Sequence, residues 1–188
     1  MNPRRLFQAL NEESVDVILI GGVAMVAHGI SYNTNDIDLC YKRDRDNMER
    51  LTRAIVPFNP RMRVENLTDA EAQALPFQFD VRSLWNIESL TLMTDIGPLD
   101  LLTRISGIGG YDEVRRRAIE IDFYDMRITI LSLTGLIENK RASARHKDIR
   151  VLPLIEATLR LQEAMAERAS HQNDVANQQV EGDADSAE

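Results

Sequence analysis

Two strand-like runs separated by a pair of glycines constrain the fold of this chain more than any other feature. Residues 15–20 read VDVILI, a β-branched apolar run typical of a buried strand, and it ends at Gly21 and Gly22. Residues 23–29, VAMVAHG, have small and apolar side chains at helical spacing, and the final glycine is a natural C-terminal cap. Residues 36–41, DIDLCY, alternate polar with apolar, as a half-buried strand does. Residues 15–41 therefore predict strand, glycine turn, short helix and strand, preceded by a short helix that begins at Asn2 and Pro3 and ends at about Leu10.

The rest of the chain alternates between strand and helix signals and then becomes helical. Residues 43–58 have helical spacing, and residues 88–105 give two strand-like runs joined at Gly97 and Pro98. Residues 119–131 predict two more strands around a turn, and from residue 133 the pattern is helical, with Pro153 either kinking the helix or dividing it. This order predicts an α/β (α+β) fold, in which a small mixed β-sheet is flanked by helices and followed by a helical C-terminal section.

Charge and composition suggest how the chain divides. The formal net charge of the chain is −8. Residues 171–188 contain five acidic residues and no Lys or Arg, so residues 1–170 carry 22 basic and 25 acidic residues, a net charge of −3. We predict a core over residues 1–132, a helical section packed on it over residues 133–168, and a disordered acidic tail over residues 169–188. The acidic balance argues against a general nucleic-acid-coating protein, which would carry a surplus of Lys and Arg.

The chain has neither a secretory signal nor a membrane span in its sequence pattern. No run approaches the roughly 18 apolar residues that a span needs, and the N-terminal residues lack a signal-peptide pattern. The single cysteine, Cys40, continues the apolar side of a strand and is interpreted as a packed residue. These features predict a soluble cytoplasmic protein without membrane contact.

Two carboxylates on alternate residues of one strand are the first chemical signal. Residues two apart point to the same side, so Asp36 and Asp38 project together while Ile37 enters the core. Carboxylates held that close repel unless a cation lies between them or water solvates both, and Mg²⁺ prefers such oxygen ligands. The alternative is a charged face on an edge strand.

Three other features support a phosphate-handling site. Gly21 and Gly22 end a strand and begin a helix, where bare N–H groups favour a phosphate. Asp100 is a third carboxylate, on the otherwise apolar GPLDLL run, although it could be a merely exposed strand position. A basic cluster in the helical section could bind phosphates or could be a solvated helix face; its members are Lys140, Arg141, Arg145, Lys147 and Arg150.

Together these motifs resemble the DNA polymerase beta-like nucleotidyltransferase superfamily. The segments "GGVAMVAHG", "TNDIDL" and "LIENKRASARHKD" are most similar to small bacterial nucleotidyltransferases of the AbiEii type, which include abortive-infection and toxin–antitoxin proteins. Many members have Gly-Ser where this chain has two glycines, so backbone donors would have to hold the triphosphate here.

The resemblance implies a Mg²⁺-dependent transfer of a nucleoside monophosphate from a nucleoside triphosphate to a hydroxyl. Asp36, Asp38 and Asp100 would be the catalytic residues and the ligands of two Mg²⁺ ions, for which Mn²⁺ could substitute. Nucleotide-binding residues would be Gly21, Gly22, Lys140, Arg145 and Lys147. The implied acceptor is a macromolecule, a tRNA 3′ end or a protein, and the chain could be a toxin with a cognate antitoxin.

Two alternatives stay open at the level of sequence. The chain could be an inactive regulatory protein with the same fold, or a nucleotidyltransferase that modifies a small molecule such as an antibiotic or a sugar. Residues 106–113, SGIGGYDE, faintly resemble a phosphate-binding turn but lack the strand, complete glycine motif and later acid of a dinucleotide site, so they are interpreted as a loop. His28 is interpreted as a packing or capping residue.

Overall fold

A mixed seven-stranded sheet forms the centre of the molecule. The structure, a computed structural model, describes residues 1–64 and 66–184, and of residues 69, 73 and 171–184 it describes the backbone alone. The strands are β1 Val17–Ile20, β2 Ile37–Tyr41, β3 Arg61–Met62, β4 Ser89–Thr94, β5 Gly97–Leu102, β6 Arg104–Ile105, β7 Gly109–Gly110, β8 Ala118–Phe123 and β9 Met126–Leu131. The sheet order is β3-β4-β5-β2-β1-β9-β8, and β6 and β7 form a separate two-stranded pair.

Eight α-helices surround this sheet within the described part of the chain. They are α1 Pro3–Glu12, α2 Gly21–Ala27, α3 Arg45–Ile55, α4 Asp69–Gln73, α5 Val81–Asn86, α6 Tyr111–Arg115, α7 Leu133–Ser143 and α8 His146–Ala184. Strand β2 is parallel to β5 and β1 is parallel to β9, whereas the other neighbours in the sheet are antiparallel. This mixed sheet with flanking helices confirms the predicted fold class.

The alternation in β2 separates the core from the site. Ile37, Leu39 and Tyr41 are at most 2% exposed, whereas the intervening Asp38 is only partly buried. The amphipathic helices α1 and α3 pack against each other and contribute Leu6, Leu10, Met48 and Leu51 to the core. The sheet therefore buries its apolar residues under helices and leaves Asp38, the acidic residue of β2, partly accessible to ligands.

A buried asparagine fixes the other end of β1 and β2. The Asn47 side chain is fully buried; its Oδ1 accepts from the Asp16 N–H at 2.7 Å, and its Nδ2 donates to the carbonyls of Asp16 and Lys42. Because Val17 is paired with Tyr41 in the same region, this network holds the register that also places Ile20 opposite Asp38. The position of the acidic strand thus depends on a polar anchor at its far end.

The structure differs from the sequence prediction in two places. The β4–β5 turn lies at Asp95 and Ile96, because Gly97 already pairs with Thr94. The helical section divides at Ala144, a left-handed residue with φ of +50°, whereas Pro153 lies inside α8. Helix α8 continues through Ala184, and residues 185–188 lie outside the described residues, so the disordered tail over residues 169–188 stays a prediction.

The extension of α8 beyond the core has a simple physical origin. Residues 162–170, QEAMAERAS, are rich in Ala, Glu, Gln and Met, which have high helix propensity, so α8 continues beyond the core. Every residue from 160 to 170 is exposed. Among the described residues, no helix combines the length and the apolar character needed to cross a membrane.

Candidate active site

Strand pairing brings the three predicted carboxylates together. Asp38 of β2 lies directly opposite Asp100 of the parallel strand β5, and Asp36 precedes β2 by one residue. Each of the three residues offers one carboxylate oxygen, and these oxygens all lie within 4.8 Å of one another. Parallel strands in register present their side chains on the same face, which is why two distant segments meet here. The three carboxylates form a site that a divalent cation can share.

The electrostatics of this carboxylate triad favour a bound cation. Burial, followed by the negative charges of Asp36 and Asp100, raises the pKa of Asp38 to about 6. Burial also raises the pKa of Asp100, an effect that the Arg63 guanidinium partly opposes. Without a bound cation, Asp38 therefore keeps its proton up to about pH 6. The donor set and its charge fit a hard divalent ion such as Mg²⁺.

The glycine pair lies against the triad at Gly21 and against a supporting threonine at Gly22. Gly21 has a φ of +66°, and a Cβ at this position would lie 2.0 Å from Asp38 Oδ2. A Cβ on Gly22 would lie 2.5 Å from Thr34 Oγ1. Thr34 in turn donates from Oγ1 to Asp36 Oδ1 at 2.9 Å. Bare backbone at both positions thus lets the start of α2 lie against the acidic side chains and their support.

Arg63 is part of the site although no sequence pattern pointed to it. Its Nη2 donates to both carboxylate oxygens of Asp100, at 3.0 and 3.1 Å. The backbone N–H of Arg63 donates to the Thr91 carbonyl on β4, immediately after the short strand β3. A positive charge therefore lies on the outer side of the triad, beside the carboxylate of β5.

Two of the predicted phosphate-binding cations share a buried carboxylate. Lys140 Nζ and Arg145 Nε each lie 2.6 Å from a different oxygen of Asp148, whose side chain is 1% exposed. Burial alone would raise the pKa of Asp148, but its bonds to Lys140 and Arg145 outweigh that effect and hold it below its usual value. Asp148 belongs to the RHKD run, yet the sequence pattern alone assigned it no role. It fixes both cations at the junction of α7 and α8.

A cavity of about 310 Å³ connects these groups, a volume at the lower end of the usual range for small-ligand sites. Gly21 and Asp38 line it on the sheet side, and Lys140 and Arg145 line it on the α7–α8 side. The remaining lining residues include Arg104 and Ser106 of the β6–β7 pair. Asp38, one predicted glycine and two predicted cations therefore line one cavity, and Asp36 and Asp100 adjoin it through the triad.

Two other predicted residues occupy less direct positions. Gly22 and Lys147 are not among the residues that line this cavity. The positive charge of Lys147 nevertheless lowers the pKa of both Asp38 and Asp100, though by less than burial raises it. His28 bonds through Nε2 to the Leu131 carbonyl at 2.9 Å, so it connects the end of α2 to β9 rather than facing the triad.

Comparison with known proteins identifies the type of fold. No protein-family model matches the chain, and no curated protein matches its sequence. Among solved structures, the antibiotic-resistance factor ANT(2'')-Ia matches with a TM-score of 0.55 and 15% sequence identity over 93% of this chain and 91% of that one. The chain has a nucleotidyltransferase fold.

A second solved structure is less similar. It is a Thermotoga maritima protein described as a candidate nucleotidyltransferase, with a TM-score of 0.44 and 15% identity over 88% of this chain and 91% of that one. The nucleotidyltransferase fold agrees with the superfamily resemblance in the sequence. The narrower similarity to AbiEii-type proteins stays a prediction.

Proposed function

We propose that this protein is a Mg²⁺-dependent nucleotidyltransferase. A hydroxyl of the acceptor would attack the α-phosphate of a nucleoside triphosphate, forming a new P–O bond, while the bond to the β-phosphate breaks and pyrophosphate leaves. The observation that carries the proposal is the convergence of Asp36, Asp38 and Asp100 within 4.8 Å, beside a cavity of a nucleotidyltransferase fold. A decayed site in a regulatory protein would not need to keep all three carboxylates.

The three aspartates would hold the metal, most simply as two Mg²⁺ ions. Bound there, the ions would stabilise negative charge on the attacking and the leaving oxygens. Asp36 and Asp38 would hold both ions, and Thr34 would keep Asp36 oriented through its hydrogen bond. Gly21 allows the backbone to approach Asp38 closely enough for a phosphate to reach both.

Other side chains have roles that follow from their position. Asp100, on the Arg63 side of the triad, would accept the proton of the attacking hydroxyl, since burial raises its pKa. Lys140 and Arg145 would bind the triphosphate from the α7–α8 side of the cavity, with Asp148 holding them in place. Gly22 would contribute through the backbone at the start of α2, and Lys147 through its charge.

We propose a macromolecular acceptor, a tRNA 3′ end or a protein, and with it the role of a toxin that has a cognate antitoxin. The support is the sequence resemblance to AbiEii-type proteins together with the basic cluster near the cavity. A small-molecule acceptor is the second candidate. It is favoured by the similarity to the antibiotic-resistance factor ANT(2'')-Ia, which extends over nearly the full length of both chains.

A labelling experiment tests the reaction and separates the acceptors. Purified protein is incubated with each α-³²P-labelled nucleoside triphosphate, Mg²⁺ and either total RNA, total protein or a panel of antibiotics and sugars. Transfer should need Mg²⁺ and should vanish in the double variant Asp36→Ala, Asp38→Ala. Labelling that persists in the double variant would contradict the assigned site. The arm that becomes labelled identifies the acceptor, and growth arrest on expression would support a toxin.

Salt dependence gives an independent test of an RNA acceptor. Binding of tRNA through phosphate contacts should weaken steeply as the salt concentration rises, because counterions are released on binding. Lys147→Glu should reduce both the affinity and its salt dependence. Binding of tRNA that is indifferent to salt and to this substitution would count against RNA as the acceptor.

A further inference from the structure

The β6–β7 hairpin forms a second wall of the active-site cavity. Arg104 is paired with Gly110 and Ile105 with Gly109, so residues 106–108 form the connecting turn. This is the glycine-rich stretch whose sequence faintly resembles a phosphate-binding turn. Arg104 and Ser106 line the same cavity as Asp38, Lys140 and Arg145. The hairpin thus faces the α7–α8 wall across the space above the carboxylates.

The hairpin is held firmly against α7. A Cβ on Gly107, which has a φ of +80°, would lie 2.5 Å from the Ala142 Cβ and 3.1 Å from the Glu138 carbonyl oxygen, so only glycine allows this approach. Asn139 Nδ2 also donates to the Ser106 carbonyl at 3.0 Å. Because both contacts are to α7, the distance between the two walls of the cavity is set by the fold. A ligand between them meets groups that are already in position.

The charges on the two walls are not equally available. Lys140 and Arg145 both bond to Asp148, which neutralises one of their two charges. The Arg104 side chain is exposed and, within the part of the chain that the structure describes, has no hydrogen-bond or ion-pair partner. It is therefore the one cation of this cavity, among the described lining residues, whose full charge and all five donors remain free.

We propose that Arg104 binds the triphosphate of the nucleotide, opposite Lys140 and Arg145. This inference rests on the proposed function and adds a binding residue to it. A guanidinium offers parallel N–H donors that match a phosphate, and such charge-assisted bonds are stronger than neutral ones. With Arg104 on one wall and the Lys140–Arg145 pair on the other, the triphosphate is held from both sides above Asp38.

Binding of inorganic tripolyphosphate tests Arg104 without the chemistry of transfer. Isothermal titration of the full chain in Mg²⁺ buffer should give an affinity about ten-fold weaker for Arg104→Gln than for the wild-type protein. Arg104→Lys, which keeps the charge but loses the planar fork, should fall between the two. The matched control is Arg82→Gln, the same charge change at an exposed arginine of α5 that lines none of the cavities described above. Thermal unfolding should be the same for all four proteins, since Arg104 is exposed and unpaired.

The outcomes separate this inference from the proposed function. Wild-type affinity of Arg104→Gln for tripolyphosphate would overturn the inference while nucleotidyl transfer could still stand. Selective loss of tRNA or adenosine binding, with tripolyphosphate unaffected, would overturn it too, because Arg104 would then serve the acceptor or the base. Arg104-dependent binding in a protein that transfers no label would support the phosphate site and contradict the proposed function. A wild-type chain that binds no tripolyphosphate would overturn the inference outright.

Discussion

At Gly21 the backbone needs a left-handed conformation in a place with no room for a methyl group. Its φ is +66° and a Cβ would lie 2.0 Å from Asp38 Oδ2. We expect Gly21→Ala to reduce the free energy of unfolding by about 2–4 kcal/mol, which combines left-handed strain with displacement of a carboxylate. Urea denaturation in EDTA measures this, and Mg²⁺ binding should weaken in parallel because Asp38 has moved.

Gly29 provides the control for that substitution. Its φ is +87°, but a Cβ at this position would meet nothing within 4 Å, so only backbone strain remains. Gly29→Ala should therefore reduce the free energy of unfolding by roughly 1 kcal/mol and leave Mg²⁺ binding unchanged. Equal losses in the two variants would show that contact with Asp38 is unimportant.

The raised pKa of Asp38 predicts how metal-free stability depends on pH. Its pKa is about 6 in the folded protein and 3.8 in an ordinary environment, so between these values the unfolded chain has released a proton that the folded chain keeps. The folded state therefore loses stability as the pH rises from about 4 to about 6, and the loss persists above that. Asp38→Asn removes this loss of stability, because the amide does not ionise. In EDTA at pH 7 we therefore expect the variant to be about 1–3 kcal/mol more stable than the wild-type protein.

Urea titrations at a series of pH values check this window. The difference between Asp38→Asn and the wild-type protein should be near zero at pH 4 and should grow until about pH 6. Asp122→Asn, at an exposed aspartate of β8, should give no such growth. A difference that is already complete at pH 4 would contradict the assignment to Asp38. Added Mg²⁺ should reverse the order of stability, because the metal needs the ionised carboxylate.

At the scale of elements, Asp148 joins α7 to α8. Its carboxylate is buried and receives both Lys140 Nζ and Arg145 Nε at 2.6 Å. Asp148→Ala leaves the buried Lys140 charge without its partner, so we expect a loss of about 3–5 kcal/mol in the free energy of unfolding. Chemical denaturation measures this loss, and nucleotide affinity should fall as well because both cations lose their anchor.

A surface pair between the same two helices is the control. Arg141 Nη2 and Glu156 Oε1 lie 2.7 Å apart, with 64% of the arginine side chain exposed. Glu156→Gln should change the free energy of unfolding by less than about 1 kcal/mol, because solvent screens exposed pairs. Comparable losses for both variants would mean that burial of Asp148 adds nothing.

The elements that sequence could predict are those with a strong local pattern. The period-two alternation of β2 and the apolar setting of Asp100 identified all three carboxylates, because side-chain direction in a strand follows from spacing alone. The pairing of β2 with β5 belongs to the tertiary structure, so no local sequence pattern predicts it. The resemblance to a family supplied that step.

The residues that sequence missed lack such a pattern for identifiable reasons. Arg63 follows a two-residue strand in a segment interrupted by prolines, which has no periodicity to read. Lys140 and Asp148 are eight residues apart, which is about 12 Å along a continuous helix. They meet because Ala144 takes a left-handed conformation and turns α8 back on α7. Whether the Arg104 side chain has an ion-pair partner likewise depends on which carboxylates the fold places near it.

At the scale of the whole molecule, the core and the site are both built from residues well before the end of the described side chains. Among the residues whose side chains the structure describes, the last buried apolar residue is Ile155, the cavity is lined by residues up to Arg145, and every residue from 160 to 170 is exposed. We therefore expect a chain that ends at Ser170 to unfold within about 2 °C of the full chain and to keep its Mg²⁺ binding. Thermal unfolding with and without Mg²⁺ measures both.

The same truncation tests what the terminal charge does. Ending the chain at Ser170 changes the formal charge from −8 to −3, because residues 171–188 hold five acidic and no basic residues. If the acceptor is RNA, the shorter chain should bind it more tightly at low salt, and the difference should disappear as salt screens the charge.

A chain that ends at Arg150 removes Val151 and Ile155, which are at most 7% exposed, and should lose the cooperative transition. A drop of more than about 5 °C for the chain ending at Ser170 would place part of the stability beyond that residue, since a 1 kcal/mol loss shifts the midpoint by about 2–4 °C in a domain of this size.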